Sequence, residues 1–339
     1  MTNAAETVRS REIRLASRPA GEPTEANFAL ATADVGPPGE GEILVKNTLM
    51  SVEPYMRGRM NDAKSYVPPF AVGEPLSGAA IGTVIASRAA SIPFGATVLH
   101  DRGWREFAVV PAKAARVIDT SQVPAETYLG ALGTTGFTAW VGLRIIAEIE
   151  QGQTIFVSGA AGAVGSMAVQ LAKRAGLRVI GSASSAEKAR VVREEFGADA
   201  AFDYHDGPTK QLRELVPDGI DVYFDNVGGE QLEAAIFATR EHARIVLCGA
   251  ISQYNAASPP PGPRNLAIAI GRRLRLEGFI VIDHLARFGE FVAEVAPLVA
   301  KGEIKSPTTF ADGLENAPAA FMNILRPNAN VGKAVVRLG

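Results

Sequence analysis

The sequence contains very little cysteine and histidine. Of its 339 residues, one is a cysteine, Cys248, and four are histidines: His100, His205, His242 and His284. A single thiol excludes an internal disulfide, and no Cys/His cluster has the spacing of zinc ligands. We therefore interpret each histidine as a surface or loop residue and predict no metal site.

The sequence also lacks an excess of charge of one sign and lacks long apolar runs. Its formal net charge is −2, and no long basic run indicates nucleic acid or an anionic membrane as a partner. Residues 1–18 have no apolar core of signal-peptide type, and no apolar run approaches the ~20 residues of a membrane span. We expect a soluble, cytoplasmic protein, and a length prior of about 150 residues per domain suggests two domains.

The first third of the chain predicts strands and turns rather than helices. The expected strands are Asn27–Val35, Glu42–Val52, Ala79–Ala86, Trp104–Val110 and Ala115–Ile118. Tyr55 and Tyr66 lie among prolines and glycines, which predicts that both are in loops, where binding groups are often found. The alternative, that both rings only pack the loops, stays open.

From about Glu126 the pattern changes to strands that alternate with helices. A helix is predicted from Glu126 to Ile149, with glycines every three residues that allow a close approach by a neighbouring backbone or ligand. The expected strands then are Ile155–Ser158, Leu177–Ser182, Ala200–Tyr204, Val222–Asn226, Ile245–Gly249 and Leu276–Ile282. The closing segments are the helices His284–Lys301 and Leu314–Leu325 and the strand Lys333–Leu338. This alternation is typical of an α/β fold with a doubly wound parallel sheet, the Rossmann fold.

A glycine-rich turn joins the first of these strands to the helix after it. The stretch Thr154–Gly165 has Ala160 at the first position of the usual G-x-G-x-x-G, followed by Gly162 and Gly165. These glycines leave room for a pyrophosphate near the backbone, and the helix N-terminus offers free N–H groups. The strand before and the second strand after satisfy the context that this motif requires. The predicted cofactor-binding residues of the turn are Ala161, Gly162, Ala163, Val164 and Gly165, the alternative being a turn without a ligand.

The end of the second strand indicates which dinucleotide binds. NAD-binding sheets usually carry Asp or Glu there, for the ribose 2′-hydroxyl. Here the segment 181–188 offers hydroxyl groups, among them Ser184, and then Lys188. A 2′-phosphate would find donors and a cation, which favours NADPH over NADH. We interpret Glu187 as the last residue of a capping box that begins at Ser184. Lys188 as a merely solvated helix residue is the alternative.

Five motifs, in order along the chain, resemble those of the zinc-independent medium-chain dehydrogenase/reductases. They are Tyr55-Met-Arg-Gly-Arg59, Ala160-Ala-Gly-Ala-Val-Gly165, Asp225-Asn-Val-Gly-Gly229, Gly249-Ala-Ile-Ser-Gln-Tyr-Asn255 and Glu277-Gly-Phe-Ile-Val281. The branch with leukotriene hydroxydehydrogenases, prostaglandin reductases, plant double-bond reductases and bacterial curcumin reductase is the most similar. The resemblance implies a GroES-like substrate domain (residues 1–129 and 305–339), a Rossmann NADPH-binding domain (130–304) and a homodimer.

The resemblance also implies the reaction and the roles of several residues. Members reduce the carbon–carbon double bond of α,β-unsaturated aldehydes and ketones with NADPH. The implied cofactor-binding residues are Lys188 and Tyr204 at the 2′-phosphate, Asn226 and Gly249 at the centre, Phe279 and Val281 at the nicotinamide, and also Cys248 and Asn330. The segment 326–332, which contains Asn330, matches the family motif more loosely than the others.

Tyr254 is the first candidate for the hydrogen-bond donor to the enolate oxygen. Its phenol has an ordinary pKa of about 10 and lies just beyond a strand's C-terminal end, the ligand-binding edge of an open α/β sheet. Tyr55 and Tyr66 are candidates for orienting or enclosing a hydrophobic enone. A quinone reductase, and a non-catalytic NADPH-binding protein, are the alternatives. An alcohol dehydrogenase is disfavoured because the metal-ligand set is absent from the sequence.

Overall fold

A computed structural model describes residues 7–258, 260–326 and 330–339. Pro259, the first residue of the proline-rich stretch 259–263, lies outside the described residues. The chain divides into two compact units. The N-terminal unit comprises, as far as described, residues 7–129, 308–326 and 333–339, and the central unit comprises the described parts of 130–307 together with 330–332. No helix of the described part is long and apolar enough to cross a membrane.

The regular elements alternate most clearly in the middle of the chain. The strands are β1 (Val8–Leu15), β2 (Phe28–Val35), β3 (Glu42–Ser51), β4 (Ala80–Ser87), β5 (Thr97–His100), β6 (Phe107–Pro111), β7 (Arg116–Val117), β8 (Thr154–Val157), β9 (Arg178–Ala183), β10 (Ala200–Asp203), β11 (Ile220–Asp225), β12 (Thr239–Leu247), β13 (Arg275–Gly278), β14 (Thr308–Asp312) and β15 (Lys333–Arg337). The α-helices are α1 (Tyr55–Arg59), α2 (Thr134–Val141), α3 (Ala163–Arg174), α4 (Ala186–Glu194), α5 (Pro208–Leu215), α6 (Gly229–Ala238), α7 (Ala267–Arg272), α8 (Phe288–Ala300) and α9 (Ala317–Ile324).

The N-terminal unit is built on β-sheet, as predicted. β1 and β2 form an antiparallel pair, and a seven-stranded sheet has the order β14-β15-β3-β4-β5-β7, with β6 also paired to β3. Apolar side chains of β3 and β4 pack into one core with side chains of β5 and β6. That core contains Ile43, Val45, Val84, Val98 and Val110. The closing strand β15 pairs with β3, so the end of the chain completes a sheet that the first third begins.

The expectation that every histidine lies on the surface or in a loop is wrong for His100. This residue ends β5 and is only 3% exposed. Its Nδ1 accepts a hydrogen bond from the backbone N–H of Arg102, and its Nε2 lies 3.0 Å from Oδ1 of Asn47, to which it donates. Because burial disfavours the charged ring and Arg105 and Arg102 lie nearby, the pKa of His100 is lowered to about 4.

The buried imidazole of His100 predicts a loss of stability in acid. An unfolded histidine titrates near pH 6.5, so below that pH the unfolded chain binds a proton at His100 that the folded chain does not bind. The stabilisation is therefore complete above pH 6.5 and is lost as the pH falls towards 4, amounting to about 2 kcal/mol by pH 5. We expect this pH dependence in urea unfolding followed by Trp104 fluorescence in a Trp140→Phe background. The loss of stability in acid should be smaller by about 2 kcal/mol at pH 5 in the His100→Gln variant. An equal loss of stability in both proteins would contradict this prediction.

The central unit is a doubly wound parallel sheet with helices in its connections, which confirms the predicted fold class. Its strand order is β10-β9-β8-β11-β12-β13, the order of a complete dinucleotide-binding sheet. The core on one side contains Phe156, Ile180, Leu212, Tyr223 and Ile245. The point where the strand order reverses lies between β8 and β11, so ligands are expected beyond the carboxyl ends of these strands.

The helix predicted from Glu126 to Ile149 is not continuous. Residues 125–128 form a 3-10 turn, α2 begins only at Thr134, and a π-helical turn, Gly142–Ile146, follows. The extended backbone of Gly133 separates the first two segments. A side chain at Gly136 would lie 2.0 Å from the carbonyl oxygen of Ala131, so this glycine does permit a close backbone approach.

Other predicted boundaries shift where local patterns are weak. β13 ends at Gly278 rather than Ile282, and a 3-10 turn, Val281–Arg287, precedes α8, which begins at Phe288 rather than His284. Tyr55 lies in the short helix α1 and not in a loop, because Pro54 has the helical dihedral angles φ −58° and ψ −32° and starts the turn. Tyr66 does lie in a loop.

Candidate functional site

The glycine turn between β8 and α3 is held tightly by its own backbone. Gly159 has a φ of +58°, and its carbonyl oxygen accepts a hydrogen bond of 2.9 Å from the N–H of Gly162. A Cβ at Gly165 would lie 2.2 Å from that same oxygen, whereas a Cβ at Gly162 would lie 3.2 Å from it. Only glycine therefore fits at 165, and the first-turn N–H groups of α3, at Ala163, Val164 and Gly165, have no acceptor within their own helix.

Residues 330–332, the last part of the central unit, contact this glycine turn. The N–H of Gly332 donates to the carbonyl oxygen of Ala161 over 2.8 Å, and Gly162 and Gly332 form a parallel bridge. The amide of Asn330 donates to the carbonyl oxygen of Gly332 over 3.0 Å. Asn330 therefore lies beside the turn, although residues 327–329 of the same loosely matched motif lie outside the described residues.

A hydroxyl, an ammonium group and an aromatic ring lie at the ends of β9 and β10. Lys188 donates from Nζ to Oγ of Ser184 at 3.4 Å, and burial lowers the pKa of Lys188. β10 pairs with β9 so that Asp203 is opposite Ala183, which brings Tyr204 and Ser184 to the same edge. The ring of Tyr204 stacks on His205 at 4.1 Å.

The capping box predicted from Ser184 to Glu187 is wrong. The N-cap of α4 is Ser185, one residue later, and its hydroxyl accepts a hydrogen bond from the N–H of Lys188. The third helical position is thus Lys188 and not Glu187, so no acidic side chain can complete a box. Ser184 stays outside the helix, and its hydroxyl remains at the strand end that Lys188 approaches.

Asn226, Cys248 and Gly249 lie where β11 and β12 end. The side-chain amide of Asn226 donates to the carbonyl oxygen of Ser158 over 2.7 Å, which connects this edge to the glycine turn. The N–H groups of Cys248 and Gly249 both donate to the carbonyl oxygen of Asp225 over 2.9 Å. Burial, with a contribution from Asp225, raises the pKa of the Cys248 thiol to about 12, so the thiol is neutral and is not a nucleophile at neutral pH.

Tyr254 follows a 3-10 turn, Ile251–Gln253, just beyond β12. Its hydroxyl accepts a hydrogen bond of 3.3 Å from the N–H of Ala250 and lies 3.4 Å from the position that a Cβ on Gly249 would occupy. Within the described parts of the chain, the hydroxyl donates its own hydrogen to no group. Burial raises the pKa of Tyr254 above its usual value, so the phenol remains a neutral donor.

Phe279 and Val281 follow β13 on the same edge of the sheet. The ring of Phe279 lies 3.4 Å from the position of a Cβ on Gly142, at the start of the π-helical turn. Val281 begins the 3-10 turn that leads to α8. π-Helical turns often occur at functional sites, and Gly142 of this one packs against the rings of Phe224 and Phe279.

In the N-terminal unit, Tyr55 and Tyr66 are held near each other by one arginine. Arg59 donates from Nε to the carbonyl oxygen of Pro68 over 3.0 Å, and its guanidinium lies 4.0 Å from the centre of the Phe70 ring. The N–H of Phe70 donates back to the Arg59 carbonyl oxygen. These contacts fix the loop that carries Tyr66 to the helix that carries Tyr55.

The environment of Tyr55 keeps its phenol protonated. Burial, together with the charge of Glu53, raises the pKa of Tyr55 well above its usual value. Burial alone would disfavour the charged form of Glu53, but the ammonium group of Lys333 and the Ser51 hydroxyl outweigh it and lower the pKa of Glu53. The Tyr55 hydroxyl has no hydrogen-bond partner among the described residues, so a ligand can use it.

Sequence reasoning did not single out Asp225 and Ser158, which connect the carboxyl ends of β11 and β8. Oδ1 of Asp225 accepts a hydrogen bond of 3.1 Å from the Ser158 hydroxyl, and the same hydroxyl accepts one of 2.9 Å from the N–H of Asn226. A signal was available, because Asp225 directly follows three apolar or aromatic residues of a strand. A carboxylate at the buried end of such a strand needs several donors.

The fold and the site define a dinucleotide-dependent oxidoreductase. The central unit has the complete sheet, the glycine turn at its switch point and donors at the end of the second strand. Residues 11–118 match the family model for the N-terminal domain of oxidoreductases, and residues 163–299 match the model described as zinc-binding dehydrogenase. Among the described residues, no group of three or more His, Cys, Asp or Glu side chains could hold a metal ion.

Relatives with similarity along the whole chain define the family more closely. The chain is 40% identical to the NADPH-dependent curcumin reductase of Escherichia coli over 337 residues, 97% of each chain. It is 36% identical to the NADP+-dependent 2-alkenal reductase of Nicotiana tabacum over 98% of each chain. The crystal structure of CurA from Vibrio vulnificus in complex with NADPH is 40% identical and has a TM-score of 0.92, with 97% of this chain and 99% of that chain covered. The chain belongs to the zinc-independent medium-chain dehydrogenase/reductase family.

Proposed function

We propose that the protein reduces the carbon–carbon double bond of α,β-unsaturated ketones and aldehydes, with hydride delivered to the β-carbon. The observation that carries this proposal is the hydroxyl of Tyr254, a neutral donor at the ligand-binding edge of the sheet whose hydrogen has no acceptor among the described residues. Relatives named curcumin reductase and 2-alkenal reductase support the same class of substrate, a carbonyl compound with a conjugated double bond.

The residues of the central unit fit NADPH, the cofactor of this reaction. The N-terminal end of α3 and the glycine turn fit a pyrophosphate, because the first-turn N–H groups of α3 have no acceptor within their own helix and Gly162 adds no side chain at this point. Ser184, Lys188 and Tyr204 would hold the adenosine end, and Asn226, Gly249, Phe279, Val281 and Asn330 the remainder. When bound, NADPH supplies the hydride.

Tyr254 performs the electrostatic part of the proposed reaction. Conjugate reduction creates negative charge on the carbonyl oxygen, and a hydroxyl that already points at this oxygen stabilises that charge without reorganisation. The N–H of Ala250 donates to the phenol oxygen, which orients the O–H bond and polarises it. The proposed reaction thus uses hydrogen-bond donation at this oxygen rather than a metal ion.

We propose that Tyr55 and Tyr66 orient or enclose the substrate. Tyr66 is 51% exposed in its loop, and the loop is anchored by Arg59. The Tyr55 hydroxyl is protonated and lacks a protein partner among the described residues. Both rings offer an apolar face with a polar end, which suits a hydrophobic enone with one carbonyl group.

A substrate screen tests the proposal directly. NADPH oxidation is followed with enals, enones, curcumin-like diketones and quinones, and NADH is the parallel donor. The proposed function predicts that enals or enones have a higher kcat/KM than quinones. Faster reduction of quinones would establish the quinone reductase instead, and NADPH binding without oxidation across the whole panel would establish a non-catalytic protein.

Replacement of Lys188 tests which dinucleotide the site selects. We expect Lys188→Ala to raise the KM for NADPH about 10–100-fold, because a hydrogen bond to a charged group contributes about 1.5–3 kcal/mol. The KM for NADH, which lacks the 2′-phosphate, should hardly change. Lys210→Ala removes an exposed lysine of the same unit and is the control. Equal losses with NADPH and NADH would show that Lys188 does not recognise the phosphate.

We also propose that the protein forms a homodimer through the β13 edge of the parallel sheet. β13 is the last strand in the sheet order, and nearby Ile270 and Leu285 are 81% and 59% exposed. If two copies of β13 pair antiparallel about Leu276, Arg275 of each copy lies opposite Glu277 of the other, as a self-complementary interface requires. Light scattering should give twice the mass of the chain for the native protein and a lower mass for Ile270→Glu/Leu285→Glu.

A further inference from the structure

A buried carboxylate with four hydrogen-bond donors lies behind the proposed donor. Asp225 is 1% exposed, and its Oδ1 accepts from the Tyr223 hydroxyl at 2.7 Å and the Ser158 hydroxyl at 3.1 Å. The N–H groups of Val227 and Gly228 donate to the same oxygen at 2.9 and 2.8 Å. A buried charge requires such compensation, and the four donors fix both the carboxylate and the turn that follows it.

The backbone of this turn supports the segment that carries Tyr254. The carbonyl oxygen of Asp225 accepts from the N–H groups of Cys248 and Gly249. Further along the segment, the N–H of Ile251 donates to the carbonyl oxygen of residue 226, and the N–H of Ser252 donates to that of residue 227. The Ser252 hydroxyl also donates to the carbonyl oxygen of residue 227, over 2.6 Å. Ala250 lies between these anchored residues, and its N–H donates a hydrogen bond to the Tyr254 hydroxyl.

We propose that Tyr223 and Asp225 are positioning residues for the Tyr254 hydroxyl. Tyr223 fixes the carboxylate, the carboxylate fixes the turn 226–228, and the turn fixes the backbone of 248–252, from which the N–H of Ala250 aims the phenol. The catalytic part of this inference rests on the proposed function. Tyr223 is fully buried and its ring stacks on Phe156 at 4.9 Å, so Tyr223→Phe removes the hydroxyl and leaves the packing in place.

Amide hydrogen exchange tests the positioning role without any substrate. We expect Tyr223→Phe to increase the exchange of the N–H groups of 248–254 about tenfold in the protein saturated with NADPH, while the NADPH Kd changes less than threefold. Tyr128→Phe removes a hydroxyl that donates to the Asp119 carbonyl oxygen in the N-terminal unit and is the control, with exchange of 248–254 unchanged. Unchanged exchange of 248–254 in Tyr223→Phe would overturn the proposal.

A double-mutant cycle tests whether the effect acts through Tyr254. We expect Tyr223→Phe to lower kcat about tenfold in the native background with KM nearly unchanged, and to cause no further loss when Tyr254 is already phenylalanine. Equal losses in both backgrounds would overturn the proposal. If the native protein reduces no enone, the proposed function fails, and the exchange experiment still decides the positioning role. If Tyr223→Phe does not fold, Ser158→Ala removes the other side-chain donor to Asp225 and undergoes the same two tests.

Discussion

The substitution Gly165→Ala is expected to abolish measurable NADPH binding, which corresponds to at least a 100-fold higher Kd. The added Cβ would lie 2.2 Å from the carbonyl oxygen of Gly159 and within 2.9 Å of two further backbone atoms of residues 159 and 160. No rotamer change can relieve a clash with backbone, so either the turn or the start of α3 must move. The N–H groups at the helix N-terminus would then no longer point at the pyrophosphate.

Fluorescence titration with NADPH measures the loss, and two matched variants separate its causes. At Gly162 the nearest atom is the same oxygen at 3.2 Å, so Gly162→Ala should fold normally and bind NADPH more weakly only through its position at the pyrophosphate. Gly289→Ala adds a Cβ to α8 with no neighbour within 4 Å and should match the native protein. Near-native NADPH affinity of a folded Gly165→Ala protein would disprove the assignment of this turn as the pyrophosphate site.

The part of the site that local sequence patterns encode could be predicted, because each pattern acts over a few residues. The apolar strand, the small residues after it and the helical spacing identified the turn at Gly162 and Gly165, and the replacement of Gly by Ala160 did not disturb it. The structure gives the reason for the tolerated alanine: a Cβ at Gly181 would lie 2.9 Å from the Cβ of Ala160, so glycine in the neighbouring strand leaves the space that Ala160 fills.

The contacts that the sequence did not reveal join residues far apart in the chain. Gly332 hydrogen-bonds to Ala161, and Lys333 forms an ion pair with Glu53. These residues are far apart in the sequence, and no periodic pattern of residue types predicts such contacts. The burial of His100 likewise depends on Asn47 in another strand. The one-residue error at the N-cap of α4 has a local cause, because Ser184 and Ser185 are both good caps and only the backbone decides between them.

The Asp225 network shows why motif recognition alone undervalued this residue. The motif Asp225–Gly229 was recognised, but its asparagine was assigned to the cofactor and its aspartate to nothing. In the structure, the aspartate accepts hydrogen bonds from the ends of two strands and supports the segment that leads to Tyr254. In our proposal Asp225 affects the reaction through geometry, whereas the group proposed to contact the substrate is the phenol itself.

Removal of that phenol hydroxyl should have the second large effect. We expect Tyr254→Phe to lower kcat with an enone about 100-fold or more, since loss of one preorganised donor to a developing oxyanion costs about 2.7–4 kcal/mol. The NADPH Kd should stay within about twofold, because the ring remains. Burial raises the pKa of Tyr254, so the hydroxyl keeps its proton through the neutral range, and its contribution should be constant from pH 6 to pH 9.

Steady-state kinetics with NADPH and an enone, with NADPH affinity measured separately by fluorescence, distinguishes this role from a structural one. Tyr128→Phe loses a hydroxyl of the N-terminal unit that is bound to a backbone carbonyl, and it should retain native kcat. If Tyr254 only packed its turn, Tyr254→Phe would turn over like the native protein, because phenylalanine preserves the ring. A loss of kcat that appears together with an equal loss of NADPH affinity would place the hydroxyl on the cofactor. Only a fall in kcat at unchanged NADPH affinity fits a hydrogen bond that forms with the substrate's oxygen as its charge develops.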